Sequence, residues 1–303
     1  MMKVLSLLLL LSGTHLFSQT KPVNYIKWYE LKNEADYQYQ FKKNPTKSLA
    51  FMTEAEHIHS LDGNDAETMA HCYLDLGDTS KTIKYLELSI RLGNPEMERI
   101  RNEFKKVNAR SMSKINKNYP DLVKQFWCEQ DIPMVMELKT MNDNDQLFRI
   151  YHKELKKDRE TWLLDRIDST NIYKVKEIYK QTGVIPGGAY IIFWHCLHNF
   201  PDMWRYFEPE MRKAVFTGSF MPQSYAGLYD RVRVIGAHQN SWYGEFTEAV
   251  EETNAFVGGK IDDVEHVDER RKEIGLRPLI EMNEIYGWTL PPGYKAPVPA
   301  KSH

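Results

Sequence analysis

The chain has 303 residues, of which 40 are basic and 42 are acidic, and its formal net charge is −2. Binding to nucleic acids requires clustered positive charge, and the basic residues here form neither a tail nor a stripe, so we expect no nucleic-acid partner. Cys72, Cys128 and Cys196 are far apart, allow one disulfide at most and lack a zinc-binding spacing. We predict that all three are small buried residues.

Residues 1–18 have the features of a secretory signal peptide. Lys3 gives a positive start, residues 4–11 form an apolar run, and Ser18 offers a small residue for cleavage. The run is too short for a membrane-spanning helix, which takes about 20 residues, and no later segment is apolar enough to cross a membrane. Cleavage near Ser18 would export the mature protein, which would be periplasmic or secreted. The alternative is a buried N-terminal helix.

Residues 19–118 show helical periodicity, with charged residues between apolar ones three and four positions apart. In the clearest unit, Tyr73 precedes a turn at residues 76–78, a second helix turns Leu86 inward, and Pro95 stops it. This unit resembles a tetratricopeptide-type helix pair. We therefore predict an antiparallel helical-repeat-like region that contacts a protein or peptide partner. Such arrays need about three repeats to bury their faces and the sequence offers two at most, so an ordinary helical hairpin is the alternative.

The C-terminal domain is predicted to span residues 119–290, because the periodicity fades before it and Pro120 indicates a break. Residues 291–303 are rich in proline and have no apolar periodicity, so we predict a disordered tail there. Helices are expected over residues 143–155, 172–181, 190–198, 201–216, 264–274 and 278–286.

Strand character appears only late in the chain. Residues 230–235 alternate, with Val232 and Val234 on one face, and residues 236–240 provide a turn. Residues 241–246 are predicted to form the return strand. The predicted fold class is therefore mainly α with a small β-hairpin, in which the helical-repeat-like region is followed by an α+β C-terminal domain.

Several short motifs follow one another in a fixed order between residues 136 and 288. They are Met141, Asp145-Gln146 with Arg149, Asn171 with Lys176-Glu177-Ile178, Gly183 with Pro186, His195, Tyr229-Asp230-Arg231-Val232, Tyr243-Gly244, Asp262-Asp263, and Val267-Asp268-Glu269-Arg270-Arg271 with Gly275-Leu276 and Pro278-Leu279. In this order the segment resembles the bacterial family known as domain of unknown function 6624. That family has no established activity, so the resemblance implies no particular reaction.

The chain departs from the pattern of that family at two motifs. Family members carry polar side chains beside the His195 position and after the Tyr243-Gly244 step, where this chain has Trp194, Leu197 and Phe246. If those polar groups serve a reaction in relatives, the resemblance implies that this copy has altered or lost it.

Asp230 and Arg231 are adjacent in the predicted strand and therefore point to opposite faces. One of them should face inward, where an unpaired charge is costly. The structural hypothesis is a buried ion pair between Asp230 and either Arg270 or Arg271, which would lock the hairpin to the last two helices.

The functional hypothesis is a cleft in which Arg231, Arg233 and His195 bind an anionic group through charge-assisted hydrogen bonds. Asp230 or Glu245 would then act as a general base. For a hydrolase, the candidate catalytic residues are His195, Asp230, Arg231 and Tyr243. The candidate ligand-binding residues are Arg233, Glu245, Arg270 and Arg271.

His195 and His198 lie three residues apart and could share a helix face with Asp202, as in some zinc sites. Pro201 interrupts that face, so we predict a core histidine and no metal. No phosphate loop, nucleotide fingerprint or Gly-x-Ser-x-Gly elbow occurs in the sequence, and no cofactor is predicted. The sequence favours an exported binding or scaffolding protein of the cell envelope. The alternative is a hydrolase built on the His195 pocket, with an activity that this copy has altered or lost.

Overall fold

The computed structural model describes residues 23–93, 96–155, 161–246 and 260–296. Within these ranges the protein is mainly α-helical and has no β-strand. The helical part of the predicted fold class is therefore confirmed, and the predicted β-hairpin is wrong. The predicted signal peptide lies outside the described residues, and none of the described helices is long and apolar enough to cross a membrane.

Six of the described helices form the N-terminal half. They are α1 (Tyr25–Asp36), α2 (Pro45–Ile58), α3 (Gly63–Asp75), α4 (Thr79–Gly93), α5 (Met97–Glu103) and α6 (Ala109–Cys128). Their apolar faces meet in one core, because the periodicity places apolar side chains on one side of each helix. Its fully buried members include Leu31, Met52, Leu86, Ile90 and Phe104.

The clearest predicted repeat unit is a hairpin of α3 and α4. α3 begins with a capping box: the Asp62 carboxylate accepts from the amides of Asn64 and Asp65, and the Asp65 carboxylate accepts from the amide of Asp62. Gly77 makes the turn between the helices with a φ of 78°, which glycine adopts at no steric cost. The turn predicted at this glycine is therefore confirmed.

The domain boundary predicted after residue 118 falls inside α6. Pro120 lies in the interior of this helix, although proline lacks the N–H that a helix interior uses. Ile115, Tyr119 and Val123 lie on either side of Pro120 and pack in the N-terminal core, which holds the helix continuous. The chain passes from one hydrophobic core to the other at the step from α6 to the next helix.

Seven further described helices form the C-terminal half. They are α7 (Ile132–Leu155), α8 (Thr161–Thr182), α9 (Tyr190–Cys196), α10 (Pro201–Phe216), α11 (Pro222–Arg231), α12 (Val267–Glu273) and α13 (Leu279–Tyr286). Their shared core includes Ile172, Phe193, Phe207, Met211 and Tyr225. α10 has the bounds expected from the sequence, with Pro201 in its first turn, where proline is tolerated.

A helix end and a loop replace the predicted hairpin. Asp230 and Arg231 are the last residues of α11, and Val232–Gly236 continues the helix as a π-helical turn. The predicted return strand, residues 241–246, is a loop with an isolated parallel β-bridge at Ser241. Six alternating residues are too few to separate a strand from the end of an amphipathic helix, and tertiary contacts decided for the helix.

Two smaller predictions also change. The Tyr294 hydroxyl donates to the Asp268 carboxylate at 2.5 Å, so residues 291–296 of the predicted disordered tail lie against the protein. The rest of that tail lies outside the described residues. Cys72 and Cys196 are buried as predicted, whereas Cys128 is exposed because it ends α6 beyond the part of that helix that contacts the core.

α1 connects the two halves of the protein. The Tyr29 hydroxyl donates to the carbonyl of Phe220 at 3.2 Å, and the Asn33 side-chain amide donates to the carbonyl of Gly275 at 2.8 Å. Both acceptors belong to loops of the C-terminal half. The position of α1 is therefore fixed by polar contacts as well as by its apolar face.

Gly63 lies where α3 meets the end of α4, and a Cβ atom there would lie 2.6 Å from the backbone of Gly93. We expect Gly63→Ala to lower the free energy of unfolding by about 1–3 kcal/mol, because the helices would have to separate. Urea denaturation measures the change. Gly187→Ala is the matched control, since nothing lies within 4 Å of its added Cβ. Equal stability of the two variants would contradict the packing constraint.

Candidate functional site

Polar side chains gather in two neighbouring parts of the C-terminal half. The first, here called the Asp230 junction, joins the end of α11 to α12 through the loop of residues 241–245. The second, here called the Asp145–His195 cluster, lies between α7, α8 and α9. Its members are Asp145, Arg149, Asp168 and His195.

Asp230 is fully buried, and the hydrogen bonds to its carboxylate come from the loop that follows. The Ser241 hydroxyl donates at 2.6 Å. The backbone amides of Trp242, Tyr243 and Glu245 donate at 2.6, 3.0 and 2.8 Å. Hydrogen bonds of this kind to a carboxylate are strong, because the acceptor is charged. A buried carboxylate that is so fully occupied is not available to remove a proton from a substrate.

Arg271 holds the same loop from the opposite side. Its side chain is fully buried and donates to the carbonyls of Tyr243 and Arg277 at 2.6 and 2.5 Å. It also donates to the Glu245 carboxylate at 2.8 Å. Burial raises the pKa of Glu245 above its usual value, although the Arg271 charge acts in the other direction. The pair ties the loop to α12.

Arg270 and Arg233 lie against the indole of Trp242. Their guanidinium carbons are 4.3 and 5.3 Å from a Trp242 ring centroid, within cation–π range. Arg270 donates to the carbonyls of Asp262 and Trp242 at 2.6 and 3.1 Å, and Arg233 donates to the Asp262 carboxylate at 2.5 Å. Both guanidinium groups are therefore bound to protein acceptors.

The predicted ion pair between Asp230 and Arg270 or Arg271 is absent from the described contacts. Amides satisfy Asp230, and Arg271 takes Glu245 as its partner. Tyr243 is buried in the same junction, and burial raises its pKa to about 12. The junction thus joins the helices as the structural hypothesis expected, but through the loop and with different partners.

His195 pairs with Asp145. Its Nδ1 lies 2.7 Å from Asp145 Oδ2, and Gln146 donates to the same oxygen at 2.8 Å. Arg149, one turn along α7, donates to Asp145 Oδ1 from Nε at 3.2 Å and from Nη2 at 3.0 Å. Burial acts to raise the pKa of Asp145, but the hydrogen bonds from His195 and Arg149 outweigh it, and the pKa lies below its usual value.

The ionised Asp145 fixes the orientation of the His195 ring. A carboxylate acceptor places the ring proton on Nδ1 and leaves Nε2 to accept one. Nε2 of His195 has no hydrogen-bond partner in the part of the chain that the structure describes. Its side chain retains 15% exposure. A neutral ring with an accepting Nε2 is the form that a general base requires.

Asp168 completes the cluster from α8. It pairs with Nη2 of Arg149, so this arginine lies between two carboxylates. Burial raises the pKa of Asp168 to about 6, against the opposing charge of Arg149. Arg149 is thereby largely neutralised by its own neighbours.

Arg231 lies beside the cluster without a carboxylate partner. Its Nε donates to the carbonyl of Trp194 at 2.6 Å. The guanidinium carbon lies 4.6 Å from a Trp194 ring centroid and 5.3 Å from that of Phe246. Among the described residues, nothing accepts a hydrogen bond from its two terminal nitrogens. Burial and the nearby charge of Arg149 lower the pKa of Arg231.

The histidines considered for a metal have different surroundings. α9 ends at Cys196 and α10 begins at Pro201, so His195, His198 and Asp202 do not share one continuous helix. Nδ1 of His198 is buried without a hydrogen-bond partner. Burial lowers the pKa of His198 to about 4, so its ring is neutral near pH 7.

A group with metal-ligand spacing lies in the N-terminal half. Ligand atoms of Glu67, His71 and Glu103 are within 4.8 Å of one another. Arg99 donates to Glu67 at 2.6 Å and to Glu103 at 3.1 Å. Its guanidinium compensates the two carboxylates, which makes this group an ion-pair cluster on the helical surface.

Sequence reasoning missed Asp145, Arg149 and Asp168 as members of a site. Two features of the sequence indicated Asp145 and Arg149. They lie one helical turn apart, and both belong to the motifs of the family resemblance. Their contact with His195, 50 residues later, depends on how α7 packs against α9. No local pattern contains that information.

Comparison of the chain with models of protein families, with curated proteins and with solved structures finds no match. The resemblance to domain of unknown function 6624 stays a prediction. The functional argument therefore depends on the geometry of this chain.

We expect Asp230→Asn to lower the free energy of unfolding by at least about 3 kcal/mol. The charged carboxylate accepts several hydrogen bonds, and the neutral amide that replaces it would leave some of the buried donors without an acceptor. The midpoint of urea denaturation measures the loss. Asp202→Asn is the matched control, since Asp202 is exposed and, among the described residues, forms its ion pair with Arg205. A loss as small as that of the control would show that the junction does not depend on the charge of Asp230.

Proposed function

We propose that this protein is an exported ligand-binding protein of the cell envelope that binds a small anionic group at Arg231. The observation that carries the proposal is the unpaired Arg231 guanidinium, whose terminal nitrogens have no acceptor within the described ranges. A partly buried cation is costly unless something compensates it. A carboxylate or phosphate group on a ligand would supply that compensation.

The surroundings of Arg231 hold its side chain in one orientation. The hydrogen bond from Nε to Trp194 fixes one edge of the guanidinium, and the rings of Trp194 and Phe246 lie within cation–π range. The terminal nitrogens are the donors that bind carboxylate and phosphate oxygens in a fork. Because the group is already ordered, binding would cost little side-chain entropy.

The charges near Arg231 belong to the Asp145–His195 cluster. Arg149 is close enough to lower the pKa of Arg231. Arg231, Arg149 and His195 are all close enough to His198 to contribute to its lowered pKa. Because Asp145 and Asp168 pair with Arg149, the charge that would attract an anion here is that of Arg231 itself.

Export and a partner rest on the sequence. Residues 1–18 have the pattern of a signal peptide, which supports a place in the periplasm or outside the cell. The tetratricopeptide-like pattern of α3 and α4 supports a protein or peptide partner for the N-terminal helices. The anion site and the partner surface would then lie in different halves of one protein.

Titration with inorganic phosphate and with acetate, followed by nitrogen-15 NMR of the arginine Nε–H groups, tests the proposal. We expect saturable binding by the wild-type protein and a loss of at least about tenfold in affinity for Arg231→Gln. Arg231→Lys should lie between the two, because it keeps the charge but loses the planar fork.

Arg205→Gln is the matched control for this titration. Arg205 is an exposed arginine whose carboxylate partner is Asp202, so its loss should leave anion binding unchanged. Wild-type protein that binds neither anion would contradict the proposal, as would equal affinity of the Arg231→Gln variant.

A hydrolase is the second candidate, and the 2.7 Å contact between His195 Nδ1 and Asp145 supports it. Nε2 of His195 would take a proton from water, the water oxygen would attack the ester, and the leaving alcohol would receive the proton. Cys196 is an unsuitable nucleophile, because it is buried and burial raises its pKa far above the usual value. Water is therefore the nucleophile in this candidate.

His195→Gln separates the two candidates. With 4-nitrophenyl acetate and 4-nitrophenyl phosphate as substrates, a hydrolase should lose at least about 100-fold in kcat. The variant should still bind phosphate through Arg231. His57→Gln, an exposed histidine on α2, is the matched control. If wild-type protein turns over neither ester, the hydrolase candidate is contradicted and the binding proposal is unaffected.

A further inference from the structure

A second concave region lies between α10, the end of α11 and α12. It is a half-open cleft of about 840 Å³, within the range of roughly 300–1,000 Å³ that small-molecule sites occupy. Neither His195 nor Arg231 lines it, so it is separate from the proposed anion site. Its aromatic lining consists of Trp204, Tyr225, Tyr229, Trp242 and Tyr243.

The rim of the cleft presents polar groups that the protein does not use. Trp204 and Trp242 each carry an indole N–H group, and Tyr229 carries a hydroxyl group. None of these three groups donates a hydrogen bond to a described residue. Arg212 and Gln239 are exposed at the same rim, and their side chains form no hydrogen bond with a described residue. A ligand in this cleft would therefore meet aromatic faces and ready donors together.

The net charge of the cleft argues against a strongly charged ligand. Three of its arginines, Arg205, Arg233 and Arg270, are paired with aspartates outside the lining. The charges that remain are the cation Arg212 and the carboxylates Glu208 and Glu273. Glu208 accepts from the Tyr225 hydroxyl at 2.7 Å. A carboxylate has about four acceptor positions, so both carboxylates can still accept hydrogen bonds from a ligand, and the donors above can donate to it.

We propose that this cleft binds a short neutral oligosaccharide. A pyranose ring has a face of C–H groups that packs on an aromatic ring and an edge of hydroxyl groups that both donate and accept. The half-buried Trp204 and Tyr229 offer ring surface, with centroids 5.8 Å apart. Glu208, Gln239 and Arg212 offer the planar polar groups that pair with hydroxyls in a fixed direction. Neutral hydroxyl groups also match the mixed charges of the rim.

The alternatives match the cleft less well. A lipid or other wholly apolar ligand would leave the indole and hydroxyl donors of the cleft without partners, which costs free energy. A nucleotide or another polyanion would need unpaired cations, and Arg212 is the single arginine of this lining without a described carboxylate partner. A peptide shares some of the required chemistry, and the test distinguishes it.

Isothermal titration calorimetry of the full chain with maltotriose, cellotriose and chitotriose tests the proposal, with triglycine as the peptide probe. We expect saturable binding of at least one trisaccharide with a Kd of about 1 mM or lower. Tryptophan fluorescence should change in the same titration, because two indoles line the cleft. Arg231→Gln should leave this binding unchanged, which separates the cleft from the anion site.

Trp204→Ala should weaken trisaccharide binding by at least about tenfold, because it removes the ring surface of α10. Trp127→Ala is the matched control, since Trp127 is an exposed tryptophan on α6, far from the lining in sequence and absent from it. Trp204 also packs against the core, so the exposed substitution Arg212→Ala provides a second variant that should weaken binding without unfolding.

Three results would overturn the proposal. The first is the absence of saturable binding of all three trisaccharides by wild-type protein. The second is unchanged affinity in both the Trp204→Ala and the Arg212→Ala variants, with circular dichroism confirming that they fold. The third is binding of triglycine in preference to every trisaccharide.

Discussion

The C-terminal half depends on one buried charge, the carboxylate of Asp230. It lies at the end of α11 with no exposure to water, and the loop beginning at Ser241 supplies its hydrogen bonds. A buried carboxylate without donors would cost several kcal/mol, so the loop has to fold back onto the helix end. Arg271 then binds the carbonyl side of the same loop and connects it to α12. Three segments distant in sequence are thereby held as one unit.

Both proposed binding regions are extensions of that unit. Arg231 follows Asp230 in the chain, and Trp242 donates its backbone amide to the same carboxylate. Asp230 therefore fixes the backbone of Trp242, a residue of the aromatic cleft, and stands next to Arg231 in the chain. Within the junction, Asp230 is satisfied by backbone amides and the Ser241 hydroxyl, and Arg271 by carbonyls and the Glu245 carboxylate.

The predictions that succeeded depend on local chemistry. Pro201 in a first turn and an apolar periodicity were enough to predict α10, and Gly77 was enough to predict the turn between α3 and α4, because each is decided by residues close in sequence. The hairpin at Asp230 and the break at Pro120 were wrong for the opposite reason. At Asp230 the hydrogen bonds from the loop that begins at Ser241 outweighed the local preference, and at Pro120 the packing of α6 in the N-terminal core did so. The candidate site shows the same limit. His195 and Arg231 were predicted as candidate site residues, whereas the residues that contact His195 through tertiary packing were not.

The sequence by itself determined the helical class and the near-neutral charge, and it indicated His195 and Arg231 as candidate site residues. The charge follows from the composition. The helical class follows from apolar residues spaced three and four positions apart, which lie on one face of any helix. Only the tertiary structure decided that Asp230 binds amides, that His195 pairs with Asp145, and that Arg231 has no carboxylate partner among the described residues. Such pairings join residues far apart in sequence. Their free energies depend on burial and on which donors the packing of whole helices brings within hydrogen-bond distance.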